Sequence, residues 1–148
     1  MRSQPLLLAL ASIAFLGSTA SAQKVAGTWA ITYDADIRRD GEDVTVNSRR
    51  TTRLVLEQRG DSVFGTFGDD AMPEPPRKVS GTFDGKTLKL TTGTTRRTVR
   101  INGQATEMDT RTDIMGAVHA TGMRGVMLLQ VGDRPAPPRK WEAVPGRP

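Results

Sequence analysis

Apolar and polar residues alternate along most of the chain with a period of two, which is typical of strands that bury one face. No apolar helical period persists beyond residue 22, so amphipathic helices are not expected there. The alternation predicts strands over residues 25–34, 51–59, 62–68, 77–83, 86–92, 95–102, 110–118, 123–131 and 140–144. The chain is therefore expected to form an all-β domain.

Charged or proline-rich stretches separate several of these strands. Residues 35–42 are charged and contain Asp40-Gly41, whereas residues 69–76 and 133–138 are rich in proline. Glycine, aspartate and proline favour turns, so all three stretches are predicted as loops. Trp141 lies beyond the last of them, and such a late apolar residue predicts that the C-terminal segment docks back onto the domain.

Two dipeptides, Gly60-Asp61 and Asp84-Gly85, mark tight hairpins. If each is a two-residue loop, the first hairpin pairs Gln58 with Val63, Leu56 with Gly65 and Leu54 with Phe67. The second then pairs Gly81 with Leu88 and Val79 with Leu90. Both registers gather the apolar residues on one face, which a slip of one residue would scatter.

A short repeat recurs along the strands. Its close copies are VAGTW, VFGTF and VSGTF at residues 25–29, 63–67 and 79–83, and looser copies stand at 114–118 and 123–127. In a strand the first, third and fifth positions share a face, so each copy points an apolar residue, a glycine and another apolar residue inward. Glycine weakens an ordinary strand, and its recurrence at one phase indicates strands that bend or approach closely. The pattern predicts an antiparallel up-and-down barrel of about eight strands.

Residues 1–22 have the order of regions found in a secretory signal peptide. Arg2 precedes an uncharged apolar stretch at residues 6–17, and Ala20-Ser21-Ala22 supplies the small residues that signal peptidase requires. A dozen apolar residues span about 18 Å as a helix, short of the roughly 30 Å hydrocarbon core, so no membrane span is expected. The sequence therefore predicts a cleaved signal peptide at 1–22, one domain at 23–148, and a periplasmic or secreted protein.

The composition argues against catalysis. The chain has 148 residues and no cysteine, which removes thiolate nucleophiles and cysteine-ligated zinc. It also lacks the nucleophile elbow, the HExxH motif and the P-loop. No catalytic residue, no cofactor and no enzymatic activity are expected.

Gly27-Thr28-Trp29 in the first predicted strand resembles the Gly-x-Trp opening of lipocalins and other calycins. The resemblance implies a barrel that is often exported and holds a small ligand in its cup. It also implies a basic residue near the C-terminus, here Arg139 or Lys140, packed over Trp29. Avidin-type barrels share the Gly-Thr-Trp strand, but only Trp29 and Trp141 are present, so the aromatic box for biotin is missing.

Two further groups of residues invite a binding function. His119, with Met115 and Met123 four residues to either side, could suit copper, but methionine commonly fills core gaps and Met115 is out of phase with the inward positions, so no metal site is expected. Arginines on outward strand faces could meet an anionic envelope surface: Arg49, Arg53, Arg96 and Arg100. Nucleic acid is not expected as a partner, because those faces offer little aromatic stacking surface.

Two functions remain after these exclusions. The first is an exported barrel that binds a small apolar or amphipathic molecule, with a lining chosen by strand phase: Tyr33, Leu54, Leu90, Ile101 and Met127. The second is a non-catalytic envelope protein, inhibitor-like or surface-binding, that uses its exterior and loops. An open interior favours the first function and a filled one the second.

Overall fold

The computed structural model describes residues 23–68 and 75–147, which contain ten strands and, within those ranges, no helix long and apolar enough to cross a membrane. The strands are β1 Gly27–Asp40, β2 Asp43–Arg59, β3 Ser62–Phe67, β4 Arg77–Phe83, β5 Thr87–Thr91, β6 Thr95–Ile101, β7 Gln104–His119, β8 Gly122–Val131, β9 Arg134–Pro135 and β10 Arg139–Pro145. The predicted signal peptide, residues 69–74 and residue 148 lie outside the described residues.

Eight of the strands close into a ring of antiparallel pairs in the order β1, β2, β3, β4, β5, β7, β8, β10 and back to β1. Strand β6 continues the line of β5 and pairs with the first half of β7, while the short β9 pairs with the end of β8. The prediction of an all-β antiparallel barrel of about eight strands is confirmed.

The two ends of the barrel differ. The end we call the base carries the turns at 60–61 and 120–121, and Gln58 closes it. The Gln58 side chain accepts a hydrogen bond from the Val25 backbone N–H at 3.0 Å and donates to the Gly60 carbonyl at 3.0 Å. The opposite end, which we call the mouth, carries two long hairpins, β1–β2 and β6–β7.

The first predicted hairpin register is confirmed in every pair, with Leu54 opposite Phe67, Leu56 opposite Gly65 and Gln58 opposite Val63. The second is wrong by two residues, since Gly81 lies opposite Leu90 and Phe83 opposite Leu88. The reason is the Asp84 carboxylate, which accepts hydrogen bonds from the backbone N–H groups of Lys86 and Thr87 and widens the turn. A shift of two keeps the same residues on the inward face.

Residues 35–42, predicted as a loop, instead belong to the β1–β2 hairpin. Strand β1 continues to Asp40, and the chain turns only at Gly41 and Glu42, where Gly41 has a φ of +60°. The ladder with β2 continues to the pair Asp40–Asp43 and satisfies the backbone of this charged stretch. The alternation of apolar and polar residues is weak in this stretch because the hairpin extends past the barrel core.

The inward glycines of the repeat lie where neighbouring strands approach closely. A Cβ on Gly65 would collide with the backbone carbonyl of Val55, and one on Gly81 with that of Lys89. The expected close approach is therefore present. The obstacle to a larger side chain is the backbone of the next strand, rather than the phenylalanine ring two residues along.

Trp141 on β10 docks onto the barrel as its late position predicted. Its indole lies over Gly125 and Gly116, the positions at which β8 and β7 pair with each other, and a Cβ on Gly116 would meet the indole ring. The indole N–H donates to the Met115 carbonyl at 3.2 Å. One side chain thus spans three strands, and it is almost completely buried.

The expectation that Arg139 packs over Trp29 is not met. On the β1–β10 ladder Trp29 lies opposite Pro145 near the base, whereas Arg139 precedes Trp141 and lies at the mouth. The partner of the Trp29 indole N–H is instead the Val25 carbonyl, at 2.9 Å. Lys140 does not reach Trp29 either, because it pairs with Val126 at the mouth end of β10.

Candidate functional site

A cavity of about 170 Å³ opens at the mouth of the barrel. Strand ends from most of the ring line it, with contributions from Tyr33, Arg50, Phe67, Arg77, Arg97, Thr112, Met127, Leu129 and Arg139. Below it the barrel interior is packed with fully buried side chains such as Ile31, Leu54 and Ile114. At the mouth a small molecule can therefore reach inward-facing side chains of the barrel.

Three strand pairs build most of this site in the same way. Each sets an apolar or aromatic residue directly opposite an arginine on the neighbouring strand: Tyr33 with Arg50, Phe67 with Arg77, and Met127 with Arg139. Paired residues of an antiparallel ladder share a face, so all of these side chains point inward. Arg97 of β6 adds a further arginine, and we call Arg50, Arg77, Arg97 and Arg139 the arginine cluster.

Arg77 is held in place from two sides. Its guanidinium lies 5.7 Å from the centre of the Phe67 ring, and its Nη1 donates to the Thr112 hydroxyl at 3.3 Å. Burial lowers the pKa of Arg77, and the neighbouring Tyr33 opposes part of this shift. Arginine nevertheless stays charged in proteins, so the site holds a positive charge that is partly stripped of water.

Arg139 has a buried donor that no described residue satisfies. Its Nε is shielded from solvent and makes no hydrogen bond to any described residue. A buried donor left without a partner costs about 1–3 kcal/mol, and more when it is charged. An acceptor brought into the cavity by a ligand would recover this energy.

Among the described residues that line the cavity, none is a carboxylate. Outward-facing arginines nearby do have acidic partners among the described residues: Arg49 contacts Asp34 at 3.5 Å and Glu142 at 3.0 Å, and Arg111 contacts Asp113 at 3.2 Å. In the described part of the chain, Arg50, Arg77 and Arg139 form no such ion pair. The described residues on the inward face of the mouth thus carry positive charge, which attracts anions.

The structure distributes the predicted lining residues over three environments. Tyr33 and Met127 line the cavity. Leu54 and Leu90 are buried in the core beneath it, and Ile101 lies on the exposed far end of β6, beyond the barrel wall. Strand phase placed these residues on the correct face, but phase carries no information about height along the barrel.

The arginine cluster was not predicted from the sequence. The arginines singled out there lie on outward faces, whereas Arg50 and Arg97 lie one residue away from Arg49 and Arg96 and have the opposite phase. A signal was present, because Arg77 is two residues before buried Val79 and Arg139 two before buried Trp141. Extending the inward phase to the first residue of each strand would have found both.

The methionines around His119 do not converge. Met115 faces outward and is exposed, Met123 faces inward and is buried, and His119 lies at the exposed end of β7. The His119 Nε2 accepts a hydrogen bond from the Arg124 Nε at 3.1 Å. These residues do not form a common coordination site.

Comparison with known proteins finds no matching family model, no matching curated protein and no matching solved structure.

Proposed function

We propose that this barrel binds a small amphipathic anion at its mouth, with a carboxylate or phosphate head group on the arginine cluster. The observation that carries the proposal is the convergence of these guanidinium groups on one cavity, together with the unsatisfied buried Nε of Arg139. The planar guanidinium suits both head groups because it can donate two parallel hydrogen bonds to their oxygens.

Size and polarity favour an amphipathic ligand over a wholly apolar one. The cavity of about 170 Å³ is smaller than the roughly 300 Å³ at which drug-sized pockets begin. An uncharged guest without an acceptor would leave the buried Arg139 Nε without a hydrogen bond, which is costly. The aromatic and thioether groups of Tyr33, Phe67 and Met127 would contact the first carbons behind the head group.

The lipocalin-like assignment belongs to the same proposal. The ring of eight antiparallel strands and the Gly27-Thr28-Trp29 opening support it, whereas the distance between Arg139 and Trp29 along the barrel is a departure from the expected pattern. Export to the periplasm or the medium is proposed from residues 1–22 alone.

Calorimetric titration with four six-carbon compounds tests the head-group preference. Hexanoate and hexyl phosphate should bind at one site near neutral pH, whereas hexanol and hexylamine should not. If hexanol binds as tightly as hexanoate, the cavity recognises the tail alone and the proposal is wrong. If hexyl phosphate alone binds, the head group is narrowed to phosphate.

Matched variants locate the binding site. Arg77→Gln and Arg139→Gln should each weaken hexanoate binding about tenfold or more, in line with the loss of a charge-assisted hydrogen bond. Arg53→Gln removes the same charge from an exposed outward position and should leave the affinity within about twofold. Equal losses in all three variants would mean that net charge, and not this site, controls binding.

A second candidate function is non-catalytic binding of a protein partner through the barrel exterior. The packed interior favours it, as does a cluster of outward apolar side chains on β7 and β8, Met115, Val126 and Leu128, which are exposed. A photo-crosslinking residue at position 128 should then give one discrete protein adduct in cells, whereas the same residue at position 59, on the base side, should not. Identical adduct patterns at the two positions would count against this function.

A further inference from the structure

We propose that Gln23, once residues 1–22 have been removed, closes on itself to form an N-terminal pyroglutamate. The inference rests on the export part of the proposed function, since it requires cleavage after Ala22. It is independent of the ligand at the mouth, because Gln23 lies beside Gln58 and Gly60 at the base of the barrel.

The predicted cleavage site determines which residue becomes the N-terminus. Ala20-Ser21-Ala22 supplies the small residues that signal peptidase requires, and Gln23 is the next residue along the chain. Cleavage at this point converts the backbone nitrogen of Gln23 from an amide into a primary amine. A nucleophile is thereby created on the residue whose side chain carries an amide carbonyl.

The cyclisation takes place within this one residue. The neutral α-amine attacks the side-chain Cδ, so that a new C–N bond forms and the bond between Cδ and Nε2 breaks. One proton passes from the amine to the leaving nitrogen, which departs as ammonia, and a five-membered lactam remains. No co-reactant is needed, and the nucleophile and the amide carbon are already joined, which removes the entropic cost of bringing them together.

The fold leaves Gln23 free to adopt the ring geometry. Gln23 is exposed and precedes the start of β1 at Gly27, so no strand ladder holds it. Among the described residues, none forms a hydrogen bond or an ion pair with Gln23. Its side-chain amide and its backbone nitrogen can therefore approach each other without the loss of another contact.

The chain becomes anchored only two residues later. Val25 is fully buried, and its backbone N–H donates to the Gln58 side chain at 3.0 Å. Lys24 is exposed and separates this anchor from the terminal residue. Because cyclisation rearranges atoms of Gln23 alone, the hydrogen bond that closes the base is left in place.

The modification protects this anchor. An aminopeptidase requires a free α-amine, and trimming of the exposed residues Gln23 and Lys24 would expose the Val25 nitrogen as the new terminus. A pyroglutamate carries no primary amine, so trimming from this end cannot begin. Cyclisation also removes one positive charge from the base.

Mass spectrometry of the exported protein tests the inference. The full chain is expressed with residues 1–22, recovered from the periplasm or the medium, and held in neutral buffer at growth temperature for several days. Most of the pool should begin at residue 23 and lack the mass of one ammonia. Peptide fragmentation should place that loss at the N-terminus, which separates it from succinimide formation at Asn102-Gly103, a reaction that also releases ammonia.

A matched variant isolates the ring closure. Gln23→Asn keeps a side-chain amide, but its cyclisation would require a strained four-membered ring, so this variant should retain the full mass of its chain. After the same incubation, an aminopeptidase should shorten Gln23→Asn and leave the wild type intact. Pyroglutamyl peptidase should remove the first residue from the wild type alone.

The failure of this inference is distinguishable from the failure of the export proposal. A pool that begins at Gln23 and keeps its ammonia overturns the cyclisation and leaves export intact. A pool that begins at any other residue shows that the cleavage site is wrong, and the inference fails with it. Equal loss of ammonia in Gln23→Asn would place the reaction elsewhere in the chain and would also overturn the inference.

Discussion

Arg139 is a residue whose position costs the folded protein free energy. Its Nε is buried at the mouth without an acceptor, although the flanking residue Trp141 on the same strand is well packed. Structures retain such a group when something outside the chain satisfies it, and removal of an unpaired buried charge commonly stabilises a fold. Arg139 is therefore a residue at which stability and ligand binding should oppose each other.

Replacement of Arg139 by methionine tests this opposition. Without ligand, Arg139→Met should raise the free energy of unfolding by about 1 kcal/mol, because it removes the unsatisfied donor and keeps an unbranched side chain in the gap. The same variant should lose the stabilisation that saturating hexanoate gives to the wild type. Urea unfolding with and without hexanoate measures both effects. Arg53→Met serves as the exposed control, and a loss of stability in Arg139→Met would mean that the guanidinium supports the fold.

At the level of elements, the register of a hairpin could be predicted where backbone conformation alone sets the length of its turn. The turn after Arg59 has Gly60 at a φ of +58°, and its register followed from the dipeptide and the apolar pattern. The turn after Phe83 could not be predicted to the residue, because its length depends on where the Asp84 side chain finds N–H groups. The charged extension of β1 was missed for a related reason, since an exposed ladder has no apolar face to reveal it.

The Asp84 turn makes a prediction about acid stability. Hydrogen bonds from the backbone N–H groups of Thr87 and Lys86 lower the pKa of Asp84 in the folded state. A carboxylate with a lowered pKa stabilises the fold above its unfolded pKa of about 3.9, and that contribution disappears as the pH falls through the folded pKa. Asp84→Ala should therefore melt at a lower temperature than the wild type at pH 7, and the gap should narrow as the pH falls below about 4.

Calorimetric melts over this pH range compare the two proteins. Asp61→Ala, in the turn that joins β2 and β3, is the matched control. A gap for Asp84→Ala that stays constant down to pH 2 would show that the side chain acts by packing or turn propensity rather than by its charge.

At the level of the whole molecule, barrel closure was predictable and the site was not. Repeated inward glycines indicated curvature, and every strand of the ring was anticipated except for the parts of β1, β2 and β7 that extend past the mouth. The arginine cluster, however, gathers residues from four strands of the sheet, and it exists only because closure brings those strands together. The inward phase of Arg77 and Arg139 can be found from the sequence, but no local window of the sequence shows that the four arginines meet at one cavity.

Closure also predicts which tryptophan matters more for stability. Trp141 is buried across β10, β8 and β7, whereas Trp29 is only half-buried near the base. Trp141→Ala should lower the free energy of unfolding by about 3–5 kcal/mol, because it leaves a cavity over Gly116 and Gly125 that the glycines cannot fill. Trp29→Ala should cost less, since part of its ring already contacts water. Urea unfolding of both variants decides the order, and a larger loss at Trp29 would place the main closure of the barrel at its base instead of at the β8–β10 seam.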